Sequence, residues 1–344
     1  MRIGQFLPSI PAVHIALIVM AVIVQLPALT SVIVGDKLPT MIVSLLYKIG
    51  TSWFIGFLYF FLIFALFDIL FVVGLIDYRT LVEYYWWIGV AVVGLIVVML
   101  FIGNINYYQK KRVELTIDTK KNMSRPLKIV FSSDWHLGYG IGGDEVAKWV
   151  ELINAEKPDI VLIGGDLIDN YTRPLWEANV FEKIRQIRSR YGVFTVLGNH
   201  EYFGDTSKRM NFFEESGVKI LRDRIAEIKD LCYIIGREDA SRSYRASLRN
   251  LTDTLDHTKP IIVIDHQPSG MPEAMRSKVD LLLSGHTHAG QVFPLNIAIK
   301  AFFRRTYGYY RRCNTHFYVT SGLGIWGGKF RIGTRSEYVV INLK

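Results

Sequence analysis

Charge is almost missing from the first third of the chain. Residues 1–105 carry eight charged side chains, four of each sign, and therefore no net charge. The remaining residues hold 36 Lys and Arg against 27 Asp and Glu, which accounts for the whole net charge of +9. With half of all residues hydrophobic, this distribution excludes a disordered chain and is atypical of a soluble enzyme. We expect an apolar membrane region followed by a basic globular domain.

Cysteine is also scarce. The chain has two cysteines, Cys232 and Cys313, and no CxxC pair. This excludes a disulfide-rich scaffold and a cysteine-based zinc module, and it leaves the redox compartment open.

Long uncharged runs in residues 1–109 predict a transmembrane region of three helices, near residues 10–34, 51–76 and 85–106. Tyr and Trp residues at 84–87 and at 107–108 are placed as an interfacial belt would be. A cleaved signal peptide is the alternative for the first run, and two further spans favour an uncleaved anchor. Residues 38–47 are too short to cross and are expected to lie at the interface.

The distribution of Lys and Arg predicts the orientation. With three crossings, the first loop and the segment after the third span share one side, which holds eight Lys and Arg against two on the other. We expect the protein in the cell (inner) membrane, with its globular domain facing the cytoplasm.

The rest of the chain reads as a basic linker, residues 110–125, and one α/β domain, residues 126–344. Short apolar strands are predicted, among others, at 127–132, 159–163, 193–197, 261–265 and 281–284. Polar groups follow each of these five strands directly: DWH, GGD, GNH, a single His, and GHTH. Ligands of α/β sheets gather at the carboxyl ends of strands, so these groups could converge on one site.

Asp, His and Asn together form a donor set suited to manganese, iron or zinc. Two such ions can activate a bridging water and stabilise both oxygens of a phosphoryl displacement. The donor set therefore favours a two-metal phosphoesterase.

The order of these motifs resembles the calcineurin-like metallophosphoesterase family, over roughly residues 126–344. The resemblance implies a four-layer αββα sandwich and two divalent metal ions, with manganese expected and iron or zinc as alternatives. It implies that one metal is held by Asp134, His136, Asp166 and His288. The other would share Asp166 and take Asn199, His266 and His286.

The resemblance gives His200 a catalytic role, in which it contacts the phosphate or protonates the leaving oxygen. Asp169 is expected to orient a neighbouring ligand. Tyr202, Arg331 and Arg335 are further candidates for substrate contact.

The substrate is less well defined by the sequence. Only 65 residues separate His200 from His266, which leaves no room for a large cap domain. The basic, aromatic stretch at 301–312 suits an anionic lipid surface. We expect a lipid-linked or membrane-proximal phosphate ester or pyrophosphate, with UDP-2,3-diacylglucosamine as one example by analogy, and membrane lipids as partners. Nucleic acid is not expected, and no protein partner is inferred. The alternatives are a nucleotide phosphodiesterase or nuclease on the same site, and a non-catalytic membrane scaffold.

Overall fold

The protein is described by a computed structural model over residues 37–77 and 83–344. Two compact units are present in it. A helical unit runs up to Ile105 and also includes Gly327–Ile332, and an α/β unit consists of Asn106–Trp326 and Gly333–Lys344.

Two helices form most of the helical unit: α1, Thr40–Val72, and α2, Tyr85–Tyr108. Both are long and apolar enough to cross a membrane. At 1.5 Å per residue α1 is about 50 Å long, which exceeds the ~30 Å hydrocarbon core of a bilayer. The predicted span 85–106 corresponds to α2, and the span 51–76 falls mostly within α1. The predicted span 10–34 lies outside the described residues.

The start of α1 lies within the predicted interfacial segment, residues 38–47. Residues 40–47 are not a separate element, because they form the first two turns of α1. Lys48 follows them in the same helix. One lysine in a long helix does not break its backbone hydrogen bonds, so the helix continues through it.

The segment Gly327–Ile332 lies within the predicted catalytic domain, residues 126–344, but in the structure it belongs to the helical unit. The backbone N–H of Arg331 donates to the carbonyl of Gly103 at 2.8 Å. The side-chain amide of Asn104 donates to the carbonyl of Lys329 at 3.0 Å. The segment Gly327–Ile332 is therefore hydrogen-bonded to α2.

Two six-stranded mixed sheets form the frame of the α/β unit. The first has the order β1-β12-β2-β3-β4-β5 and the second β10-β11-β9-β8-β7-β6. Their strands are β1 Lys111–Ile117, β2 Leu127–Ser132, β3 Ile160–Ile163, β4 Val193–Thr195, β5 Lys219–Ile220, β6 Arg224–Ile228, β7 Cys232–Gly236, β8 Ile261–Ile264, β9 Leu281–Ser284, β10 Gly308–Arg312, β11 Thr315–Val319 and β12 Glu337–Leu343.

The parallel strands at the centres of the sheets are apolar on both faces. All four residues of β3, of β8 and of β9 are buried. Continuous Val, Ile and Leu runs are typical of parallel strands covered on both sides. The parallel pairs β2–β3, β3–β4 and β8–β9 place the carboxyl ends of five strands at the edges where the polar motifs follow.

The predicted linker 110–125 is wrong in its first half. Lys111–Ile117 forms β1, an edge strand parallel to β12. Val113, Leu115 and Ile117 alternate with polar residues, and Ile117 is fully buried. The high density of charge concealed this alternation, because an edge strand exposes one face to solvent. Only Gln109 and Lys110 separate α2 from the first sheet.

Short helices cover the outer faces of the sheets, and apolar side chains fill three clusters. One cluster combines Phe131 of the first sheet with Ile262 of the second. The helices are α3 Gly143–Ala155, α4 Arg173–Glu177, α5 Val180–Ile184, α6 Thr206–Ser216, α7 Leu248–Thr252, α8 Met271–Arg276 and α9 Leu295–Ala298. A second cluster joins the first sheet to α3, α5 and α6, and a third joins the second sheet to α7 and α8.

Gly236 provides a test of how closely the sheets approach. A β-carbon at this position in β7 would lie 2.2 Å from Cβ of Leu221 and 2.9 Å from Cγ1 of Val196, which follow strands of the first sheet. We expect Gly236→Ala to lower the free energy of unfolding by about 1–3 kcal/mol, the usual effect of overpacking. Thermal unfolding of the full chain in detergent measures this. Gly142→Ala is the control, because nothing lies within 4 Å of its added carbon. Equal melting temperatures for the two variants would contradict the packing described.

Candidate metal centre

The predicted donor residues come together at the carboxyl ends of β2, β3, β4, β8 and β9. Five of them have positive φ angles: 56° at Asp134, 47° at His136, 50° at Asp166, 69° at His286 and 50° at His288. Residues with a side chain seldom adopt this conformation, and it is concentrated at functional sites. The turns that follow the strands are therefore bent in a way that directs these side chains to a common point.

Two groups of donor atoms lie side by side. In the first, Nε2 of His288 is 3.0 Å from Nε2 of His136 and 3.6 Å from Oδ1 of Asp134. In the second, Nε2 of His266 is 3.2 Å from Oδ2 of Asp166, from Nδ1 of His286 and from Oδ1 of Asn199.

Asp166 connects the two groups, because its Oδ2 also lies 3.7 Å from Nε2 of His136. The donor atoms of three overlapping triads, one of which includes His200, lie within 4.8 Å of one another. Oxygen and imidazole donors at such distances fit divalent transition-metal ions. The seven predicted ligands thus lie in two adjacent groups that share Asp166, which could hold metal ions.

The electrostatics of the second group favour the coordinating form of Asp166 and His286, while the adjacent Asp166 outweighs burial and raises the pKa of His266 well above its usual value. Burial opposes ionisation of Asp166, but the neighbouring His266 outweighs it and holds the pKa of this carboxyl well below its usual range. Burial and the adjacent His266 lower the pKa of His286 to about 4. A metal ion binds carboxylate and neutral imidazole, so both residues are in the form that coordinates.

His200 lies at the open side of the centre. Its Nδ1 is 3.0 Å from Oδ1 of Asp169, and its backbone N–H donates to Oδ1 of Asp166 at 3.0 Å. Asp169 also lies 3.8 Å from Nδ1 of His136. This buried carboxylate therefore orients the imidazole of His200 and lies close to that of His136, as expected of a group behind the metal ligands.

Aromatic side chains surround the opening. The ring of Phe203 is 5.0 Å from that of His200, and the ring of Trp326 is 6.3 Å from it. Phe303 lies 5.4 Å from His286. Phe203 and Trp326 are about half exposed. The centre thus has an apolar rim around a polar interior.

The remaining substrate candidates fall in different places. Tyr202 directs its hydroxyl to Glu238, and its ring lies 4.7 Å from the guanidinium of Arg242. Arg335 is exposed and lines a pocket that contains none of the seven predicted ligands. Arg331 does not fit a role in substrate contact, because its side chain is fully buried and it belongs to the helical unit.

Sequence reasoning missed the role of Glu201. This side chain is fully buried, and its carboxylate accepts hydrogen bonds from the backbone N–H groups of Gly198 (2.7 Å), Ile168 (2.9 Å) and Asp166 (3.0 Å). Burial and the adjacent Asp166 raise its pKa to about 7. An acidic residue directly after a ligand-bearing Asn-His pair was the available signal, but its partners are backbone groups that no side-chain pattern shows.

The family of the chain follows from this centre and from comparison with known proteins. Residues 127–290 match the model of the calcineurin-like phosphoesterase family. An uncharacterized metallophosphoesterase of Campylobacter jejuni is 33% identical over 72% of this chain and 67% of its own. The chain belongs to the calcineurin-like metallophosphoesterase family, whose members are hydrolases of phosphoric ester bonds.

Two further relatives differ in how much of them is matched. An uncharacterized metallophosphoesterase of Aquifex aeolicus is 32% identical over 68% of this chain and 92% of its own length. A zebrafish transmembrane protein with metallophosphoesterase domain is 31% identical over 72% of this chain and 60% of its own. The match thus spans about three fifths of the zebrafish protein. The relatives of this chain therefore include proteins that are described as transmembrane proteins.

Glu201→Gln tests the buried carboxylate. The amide retains one acceptor oxygen but turns an NH₂ group toward a backbone donor, so at least one N–H loses its partner. We expect the free energy of unfolding to fall by about 1–3 kcal/mol, and bound metal to decrease in atomic absorption measurements. Glu214→Gln, on the exposed face of α6, is the control. If Glu201→Gln kept both stability and metal content at the level of Glu214→Gln, the carboxylate would not organise the centre.

Proposed function

We propose that this protein is a dinuclear metal-dependent hydrolase of a phosphate ester or pyrophosphate in a lipid-linked, membrane-proximal substrate. The observation that carries the proposal is the convergence of two donor groups on Asp166, beneath a rim of exposed aromatic side chains. The donor groups support the reaction class, and the apolar rim supports an amphiphilic substrate. UDP-2,3-diacylglucosamine, with a pyrophosphate and acyl chains, is one molecule of this kind.

The seven donor residues would form two metal-binding groups. Asp134, His136, Asp166 and His288 would hold one metal ion, and Asp166, Asn199, His266 and His286 the other. Manganese is the ion we expect, with iron or zinc as alternatives. When bound, such ions neutralise phosphate charge and lower the pKa of water.

His200 has the position of a proton donor. Its Nδ1 is fixed by Asp169 at 3.0 Å, which leaves Nε2 as the atom that can contact the phosphate or the leaving oxygen. Because Asp169 is a buried carboxylate, it fixes the tautomer and ring orientation of His200.

Three features of the chain support action at a membrane. Only Gln109 and Lys110 separate α2 from β1, so the domain is tethered directly to a membrane-capable helix. The excess of Lys and Arg after α2 supports a cytoplasmic orientation in the cell inner membrane. Cationic side chains at 304, 305, 311 and 312 are exposed, beside Phe302, which is 80% exposed.

The three apolar clusters support the four-layer αββα order that the family resemblance implies. One cluster contains side chains of both sheets, and each of the others contains one sheet with helices. We propose this order for the α/β unit.

The reaction class is tested with Asp166→Asn and His200→Ala. Asp166→Asn should abolish hydrolysis of an aryl phosphate and lower the bound metal, because both donor groups lose their shared carboxylate. His200→Ala should slow hydrolysis by roughly 10²–10⁴-fold, the usual contribution of a positioned acid, with both metal equivalents retained. Loss of one metal equivalent in His200→Ala would make this residue a ligand. Near-normal activity of Asp166→Asn at saturating manganese would exclude the dinuclear mechanism.

The substrate class is tested on the full chain in lipid nanodiscs. Replacement of the four exposed arginines by Gln should slow hydrolysis of an aryl phosphate that carries a long acyl chain, since each contributes on the order of 1 kcal/mol at an anionic surface. The water-soluble aryl phosphate should be hydrolysed as before. The substitutions are Arg304→Gln, Arg305→Gln, Arg311→Gln and Arg312→Gln.

A control of equal charge change uses exposed cations elsewhere in the α/β unit: Lys148→Gln, Lys157→Gln, Arg188→Gln and Lys229→Gln. Equal loss on both substrates would place the arginines in the active site. Equal retention on both, or faster hydrolysis of nucleotide diesters than of the acylated substrate, would contradict a lipid-linked substrate.

A further inference from the structure

The α/β unit contains a second concave site, beside the metal centre. It is a cavity of about 460 Å³ that includes Lys111 of β1, Lys300 after α9, and Arg335 before β12. Ala289 lines it and directly follows the donor residue His288, so the two sites are neighbours. The pocket is nevertheless separate in its lining, because none of the seven predicted metal ligands contributes to it.

The pocket carries unbalanced positive charge. No Asp or Glu is among its lining residues. Within residues 37–77 and 83–344, none of the three cations forms an ion pair. Glu337 lies opposite Lys111 in the strand register, but it is buried and accepts hydrogen bonds from the hydroxyls of Tyr307 and Tyr318.

Such a cluster suits a phosphate group. Arg can bind phosphate oxygens in a bidentate manner, and Lys supplies a compact charge. The amide of Asn296 also lines the cavity, and its Oδ1 is buried without a hydrogen-bond partner. An amide oxygen only accepts hydrogen bonds, so Oδ1 of Asn296 suits a hydroxyl group of a headgroup and not a phosphate oxygen.

Apolar side chains border the same pocket. α9 contributes Asn296 to the lining and exposes Leu295 (44%) and Ile297 (58%) beside it. Phe293 before the helix and Phe302 after it are 48% and 80% exposed. A soluble anion would gain nothing from these residues, whereas an amphiphile would place its acyl chains against them.

The position of the pocket in the chain points to the same kind of ligand. Asn106, in the last turn of α2, and Lys111, the first residue of β1, both line it. If α2 crosses a bilayer, lipid headgroups lie where this helix ends. We propose that the pocket binds the phosphate headgroup of an anionic membrane lipid, with the side chains around α9 in contact with its acyl chains.

Binding is tested on the full chain in a neutral detergent with dioctanoylphosphatidylglycerol, by equilibrium dialysis of labelled lipid. The combined variant Lys111→Gln, Lys300→Gln and Arg335→Gln should weaken the affinity by roughly 10- to 100-fold, from the loss of three cations near one phosphate. Lys148→Gln, Lys157→Gln and Arg188→Gln together change the charge equally and should bind as the unaltered chain does. Leu295→Ser with Ile297→Ser should weaken lipid binding but not binding of glycerol 3-phosphate.

The outcomes separate the possible ligands. An anionic lipid is supported if only the pocket variant loses affinity for dioctanoylphosphatidylglycerol, and if glycerol 3-phosphate and dioctanoylphosphatidylcholine displace this lipid only weakly. Competition by glycerol 3-phosphate as strong as by the lipid overturns it in favour of a soluble phosphate. Equal loss in both triple variants, or no binding by the unaltered chain, also overturns it. The readout is lipid binding and not hydrolysis, so the result can be interpreted even if the proposed function is wrong. The melting temperature of each variant reports whether it folds.

Discussion

The metal centre depends on one buried carboxylate that binds no metal. Glu201 accepts three backbone hydrogen bonds, from the loop after β3 and from the loop after β4. These three backbone donors are buried, and a buried N–H that loses its acceptor costs about 1–3 kcal/mol. The side chain of Glu201 therefore stabilises the conformation of both loops.

This constraint explains how strained ligand positions persist. Asp166 has a φ of 50°, and its own N–H is one of the three groups that Glu201 accepts from. Gly198 approaches so closely that a β-carbon there would lie 2.1 Å from Oδ1 of Asp166. The loop after β4 thus has room for the shared carboxylate only because position 198 is glycine. Strain at a functional site is maintained when its surroundings determine the conformation from several sides.

The sequence predicted the parts of this protein that repeat a simple pattern. Continuous apolar runs identified β3, β8 and β9, and the polar residues that follow these strands and β2 and β4 identified seven donor residues that the fold brings together. The partners of Glu201 were not predictable, because all three are backbone groups, and two of them, those of Asp166 and Ile168, belong to a loop more than thirty residues away. The charge of residues 110–125 hid β1, whose alternation is visible only beside β12. Gly327–Ile332 could not be assigned to the helical unit, because it is hydrogen-bonded to α2 through its own backbone groups, which no side-chain pattern shows.

These missed features have a common consequence for the function. β1 reduces the connection after α2 from a predicted sixteen residues to two, Gln109 and Lys110. Two extended residues span about 7 Å, which is the whole length of chain between the end of α2 and the first sheet. If α2 crosses a bilayer, as we propose, this short connection would favour substrates presented at the membrane surface. The exposed side chains of Phe203 and Trp326 would then offer apolar contacts to an amphiphilic substrate.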